Sequence, residues 1–118
     1  MSINEMVRKT GVVITFMSLF AMGVSHAACG TTGCTDVLVD ELYVNSNYVV
    51  YVATSGTETA INCTPVSGTH LTLDPSDSNY NAVYSLLLAA QLADRPVSIR
   101  TVDGSANCKI SYVVLDRV

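Results

Sequence analysis

Four cysteines carry the clearest chemistry in this 118-residue sequence: Cys29, Cys34, Cys63 and Cys108. Thiols close disulfides, hold metals or act as nucleophiles, and their spacing decides among these. No C-x-x-C pair is present, and beyond the first 27 residues the single histidine is His70. No metal site and no other cofactor are therefore expected. An even cysteine count behind an export-type leader reads as two disulfides. Three connectivities are open. The favoured one joins Cys29 to Cys34 around "GTTG" and Cys63 to Cys108 across two distant strands. The other reactive residue types form no catalytic constellation. Serines are plentiful, but none sits in a nucleophile-elbow or Ser-x-x-Lys pattern. The acids are scattered through turns and strand faces, and no pair of them stands out. A protein without enzymatic activity is the expectation.

The leader that sets this redox context is residues 1–27. "MSINEMVRK" is a basic n-region, "TGVVITFMSLFAMGV" an uncharged apolar h-region, and "SHA" a small-residue cleavage pattern. The apolar run is shorter than the roughly 20 residues that span a bilayer. The residues "HAA" before Cys29 lack the Leu-like position of a lipobox. Cleavage after Ala27 and a secreted or periplasmic location are expected, with no membrane span afterwards. Of 118 residues, 91 would remain, carrying four basic and nine acidic side chains, a net charge of −5. That balance argues against nucleic acid and anionic membranes as partners. A chain of this size forms one modest core that disulfides help to hold.

The elements that must position these residues follow in order. "TDVLVDELYV" (35–44) and "YVVYVATSG" (48–56) read as two strands around the turn "NSN". "TETAINCTPV" (57–66) reads as a third strand, followed by a short extended "LTLD". "PSDSNYNAVYSLLLAAQLADRP" (75–96) reads as a helix, with Asp77 or Ser78 as its N-cap and Pro96 as its stop. "VSIRTV" alternates, with Val97, Ile99 and Thr101 on one face and Ser98, Arg100 and Val102 on the other. "CKISYVVLDRV" (108–118) is the last strand, with Ile110, Tyr112 and Val114 on one face. Three strands, a helix, then two strands is the order of a five-stranded OB-fold, a mainly β barrel with the helix plugging one end. Residues 28–118 are read as this single domain.

The helix is more apolar than a barrel plug requires. Val83, Leu86, Leu87 and Ala90 make one stripe, which leaves Leu88, Ala89 and Leu92 on other sides. Either loops cover those three, or they meet another subunit or a partner protein. Six tyrosines and no tryptophan give the mature chain rings with polar tips, suited to sugars or to a protein interface.

The element order, with "TDVLVDELYV" (35–44), "AINC" (60–63) and "YSLLLAAQLADRPVSIR" (84–100), resembles the B subunits of the subtilase cytotoxin and typhoid toxin type. The resemblance implies a secreted OB-fold protein that forms a pentameric ring, binds a glycan and carries an A-subunit protein. In that family a serine just ahead of the first strand contacts sialic acid, and the matching residue here is Thr35. Ser46 and Tyr48 are further candidate glycan contacts. Leu88, Ala89 and Leu92 are the candidate oligomer interface. The alternative is a monomeric periplasmic structural or inhibitor protein that binds another protein through the same scaffold.

Overall fold

The computed structural model describes residues 28–117. The expected signal peptide lies outside the described residues. Within them the protein is mainly β, with two antiparallel sheets and one α-helix. Seven strands stand where the sequence predicts five, and their ladders form two sheets, not one continuous barrel.

β1 (Ala28–Gly30) and β2 (Gly33–Val37) form a hairpin in which Cys29 lies directly opposite Cys34. After Leu38 the chain continues as β3 (Val39–Val44). Val37 pairs with Val97 in one sheet, while Val39 pairs with Thr54 in the other. The predicted first strand is thus divided at Leu38, where the chain changes sheets. Leu38 is held on both sides: its N–H donates to Ser55 Oγ at 2.9 Å, and its carbonyl accepts the Ser55 N–H at 3.0 Å. β4 (Val50–Thr54) follows a tight turn in which Asn45 Oδ1 accepts the N–H groups of Asn47 and Val49. This side chain satisfies backbone donors that the turn would leave open.

The predicted third strand is misplaced. Residues 57–66 hold a short 3-10 turn, Glu58–Ala60, and Cys63 lies outside any strand. The cause is the buried Glu58. Its Oε2 accepts both the Thr54 N–H (2.6 Å) and the Thr54 hydroxyl (2.8 Å), folding the chain back at the end of β4. The third strand is instead β5 (Leu71–Leu73), all of it buried.

The helix, α1, runs Tyr80–Ala93. Its N-cap is Asn79, not Asp77 or Ser78. The Asn79 amide is turned to the Ser111 carbonyl (3.0 Å), so it ties the helix to the last strand and caps no helical N–H. Asp94 ends the helix in the left-handed region (φ 55°), with the Arg95 N–H returning to the Ala90 carbonyl at 2.9 Å. The stop therefore precedes Pro96.

β6 (Val97–Thr101) alternates as the sequence predicts, with Val97, Ile99 and Thr101 inward. β7 (Ile110–Val114) does not keep one face. Ile110 pairs with Thr101 but Tyr112 pairs with Arg100, so one extra residue bulges at Ser111. Ile110 and Val113 are buried, while Tyr112 and Val114 turn outward. The sheet orders are β1-β2-β6-β7 and β3-β4-β5. Val37, Val50, Val52, Leu71, Leu73, Leu87, Val97, Ile99 and Ile110 fill the core they enclose.

Both expected disulfides are present, Cys29–Cys34 and Cys63–Cys108, and no described cysteine is free. This is the chemistry of an oxidising compartment and is compatible with an extracellular or periplasmic protein. No described helix is long and apolar enough to cross a membrane.

Candidate functional site

On the outer face of the β1-β2-β6-β7 sheet lies a shallow groove of about 180 Å³. Strand alternation builds it. Ser98 and Arg100 are the outward residues of β6, between the buried Val97, Ile99 and Thr101. The Ser111 bulge turns Tyr112 and Val114 to the same side, with Tyr112 directly across from Arg100. On the opposite flank β2 presents Thr35, exposed and next to the disulfide-bonded Cys34.

Two backbone features set the shape of the groove. Asp36 takes φ 53° where the β2–β6 pairing shifts register, and its N–H points to Ser98 Oγ at 3.4 Å. Gly33, opposite Arg100, permits the close approach of the hairpin to β6. A Cβ there would meet the Ile99 carbonyl oxygen at 1.9 Å.

The electrostatics centre on Arg100. Among the described residues Glu41 contacts His70 and Asp74 contacts Lys109, and no acidic side chain lies within ion-pair distance of Arg100. An exposed guanidinium beside a tyrosine ring and two hydroxyls offers a planar fork for a carboxylate, hydroxyl partners and an apolar surface. A second, more open depression of about 310 Å³ lies near the start of α1, beside Lys109, Asn79 and Ser111. Its one cation is already engaged, since Lys109 lies 3.7 Å from Asp74, and the Asn79 amide donates to the Ser111 carbonyl. The Thr35 groove differs in holding a cation, Arg100, with no acidic partner among the described residues.

Of the residues expected to contact a glycan, Thr35 is in the groove and Ser46 and Tyr48 are not. The latter two sit in the β3–β4 turn, in the other sheet and at the far end of the run that begins at Gly33. Tyr48 is 69% exposed with φ 66°, and its carbonyl accepts the Tyr80 hydroxyl. Alternation in the sequence put Ser98 and Arg100 on one face of β6, opposite Val97, Ile99 and Thr101, but gave them no role. It missed Tyr112, because strict alternation put that residue with Ile110.

On α1, Val83, Leu87 and Ala90 are buried and Leu86 is partly so, as the apolar stripe predicts. Leu88, Ala89 and Leu92 are exposed, Leu92 to 79%. No described segment covers them.

Comparison with known proteins gives no match to a family model, to a curated protein or to a solved structure.

Proposed function

We propose that the protein is an exported, non-enzymatic binding module that recognises an acidic glycan in the groove formed by Thr35, Ser98, Arg100 and Tyr112. The observation that carries this reading is Arg100, without an ion pair among the described residues, paired across the sheet with an exposed tyrosine. Sugars with a carboxylate match that set: the acid on the guanidinium, ring hydroxyls on Thr35 and Ser98, and the apolar ring face on Tyr112. Export is supported by the two disulfides.

The reading includes an OB-like barrel. β2 and β3 form one run interrupted only at Leu38, which reduces the seven strands to five segments and an N-terminal strand. A parallel bridge, Thr72 to Lys109, links β5 to the segment leading into β7, and the Thr72 N–H donates to the Cys108 carbonyl at 3.1 Å. These contacts support a circuit of pairing around the core, with α1 between the third and fourth segments.

A protein-binding role is favoured by a separate observation, the uncovered Leu88–Leu92 face of α1. In this reading that face meets neighbouring subunits of a pentameric ring or an A-subunit protein, as the toxin resemblance implies. Light scattering of residues 28–118 tests the assembly, and a monomer of about 10 kDa at working concentration removes it from the proposal. The glycan claim is tested on an array of acidic and neutral glycans with wild type, Thr35→Ala and Arg100→Ala. Wild type should bind acidic glycans, with Arg100→Ala losing them. Equal acidic-glycan signals from wild type and Arg100→Ala would overturn the groove assignment.

A further inference from the structure

A second constellation lies on the other sheet, away from the groove. Tyr43 of β3 and Tyr51 of β4 are a direct cross-strand pair, and their rings stack at 4.7 Å with 9° between planes. His70 meets both rings edge-on, at 5.5 Å from Tyr43 and 6.4 Å from Tyr51. A ring resting on the outer face of Tyr43 would be about twice the stacking distance from Tyr51, so His70 stands beside the stack, not on top of it. The Tyr43 face turned away from Tyr51 is left uncovered by either ring, and the residue is 44% exposed.

Beside this platform stands a fixed carboxylate. His70 Nε2 and Glu41 Oε1 lie 2.6 Å apart, while Thr69 Oγ1 is 2.9 Å from His70 Nδ1. The imidazole is thereby held from both sides, and it holds Glu41 in turn. The Glu41 side chain remains 57% exposed, and its Oε2 accepts no hydrogen bond from the described residues. Glu41 and Tyr43 point to the same side of β3, since residues two apart share a face.

The geometry points to a second carbohydrate site, in which a neutral pyranose stacks its apolar face on the outer face of Tyr43 and donates a hydroxyl to Glu41 Oε2. The chemistry selects this ligand class. A free aromatic face takes the C–H face of a sugar ring, and an ordered carboxylate with a spare oxygen accepts hydroxyl protons. The same carboxylate disfavours an acidic sugar, so this site and the Arg100 groove divide neutral from anionic residues. The inference stands on residues that the groove does not use, and it does not depend on the groove binding anything.

Saturation-transfer NMR with methyl β-galactopyranoside and methyl α-glucopyranoside at millimolar concentration tests it on residues 28–118. Wild type should transfer saturation to the sugar ring protons. Tyr43→Ala should weaken binding about tenfold or more, Tyr43→Phe should retain it, and Glu41→Gln should weaken it. Thr35→Ala and Arg100→Ala should leave it unchanged, which separates this site from the groove. Circular dichroism confirms that each variant is folded. Absence of transfer to wild type for both sugars, or undiminished transfer to folded Tyr43→Ala, would overturn the assignment. Loss of transfer in Arg100→Ala would overturn it equally, by locating the sugar in the groove.

Discussion

The two disulfides differ in the length of chain they close, and their removal should differ accordingly. Cys63–Cys108 spans a sequence separation of 45, whereas Cys29–Cys34 spans 5. On the chain-entropy account the first constrains the denatured state by about 4 kcal/mol at 25 °C and the second by about 2 kcal/mol. For a domain of this size, those losses lower Tm by roughly 15–30 °C and roughly 8–15 °C. The assay is urea and thermal unfolding of the paired variants Cys63→Ala/Cys108→Ala and Cys29→Ala/Cys34→Ala beside wild type. Freed from the long loop, the denatured chain should also expand, so the slope of ΔG with urea should rise for the first pair. Each pair joins a buried cysteine (Cys34, Cys108) to a half-buried one (Cys29, Cys63), so the packing loss is similar in the two variants and the loop term decides. If losing the short ring costs as much stability as losing the long one, the reasoning fails.

Three further outcomes are expected. Glu58→Ala should cost about 1–3 kcal/mol, because it leaves the buried Thr54 N–H and hydroxyl without their acceptor, whereas Glu58→Gln should cost less; equal losses by denaturant unfolding would refute the acceptor role. The Ser76 backbone N–H, and then its hydroxyl, hold Asp74 below the ordinary carboxylate value of 3.8, with Lys109 adding to them. A depressed folded-state value means that the stabilisation is present above 3.8 and lost as pH falls through the lower folded value. A carboxyl NMR titration should show this midpoint below 3.8 in wild type and nearer to it in Ser76→Ala, and a wild-type midpoint at or above 3.8 would contradict the assignment. For the proposed assembly through the α1 face, Leu88→Ser/Leu92→Lys should lower the sedimenting mass relative to wild type while changing unfolding free energy by no more than about 0.5 kcal/mol, since surface positions away from packed features are nearly neutral. An assembly unaffected by both changes would place the interface elsewhere.

Much of the architecture was legible where periodicity and cysteine pairing spoke together. The β6 alternation and the buried stripe of α1 follow from residue spacing, and the favoured one of three open cysteine pairings is the one present. What failed had local causes outside the reach of periodicity. "TETAINCTPV" has strand composition, but the Glu58 carboxylate folds it back onto Thr54, a tertiary hydrogen bond that strand propensity does not encode. The bulge at Ser111 reverses the facing of Tyr112, and with it hid one wall of the groove. The helix stop moved forward because Asp94 adopts the left-handed conformation before Pro96 can act. The Tyr43–Tyr51 pair was not legible, because counting outward from "NSN" pairs Val44 with Tyr48 and Tyr43 with Val49, whereas the turn takes in residues 45–49 and moves the register to Val44–Val50 and Tyr43–Tyr51. The approach of His70 to that pair, from a separate segment, carries no sequence signal.

A site-resolved titration shows whether an acidic sugar binds beside Arg100. ¹⁵N-labelled residues 28–118 would be titrated with 3′-sialyllactose and followed by heteronuclear NMR. Saturable shifts should be concentrated at the amides of Thr35, Ser98, Arg100 and Tyr112. In Arg100→Ala the affinity should fall about 10- to 150-fold, as losing a charge-assisted hydrogen bond worth about 1.5–3 kcal/mol implies. No shift at those four amides, or the same affinity in Arg100→Ala, would contradict binding beside Arg100.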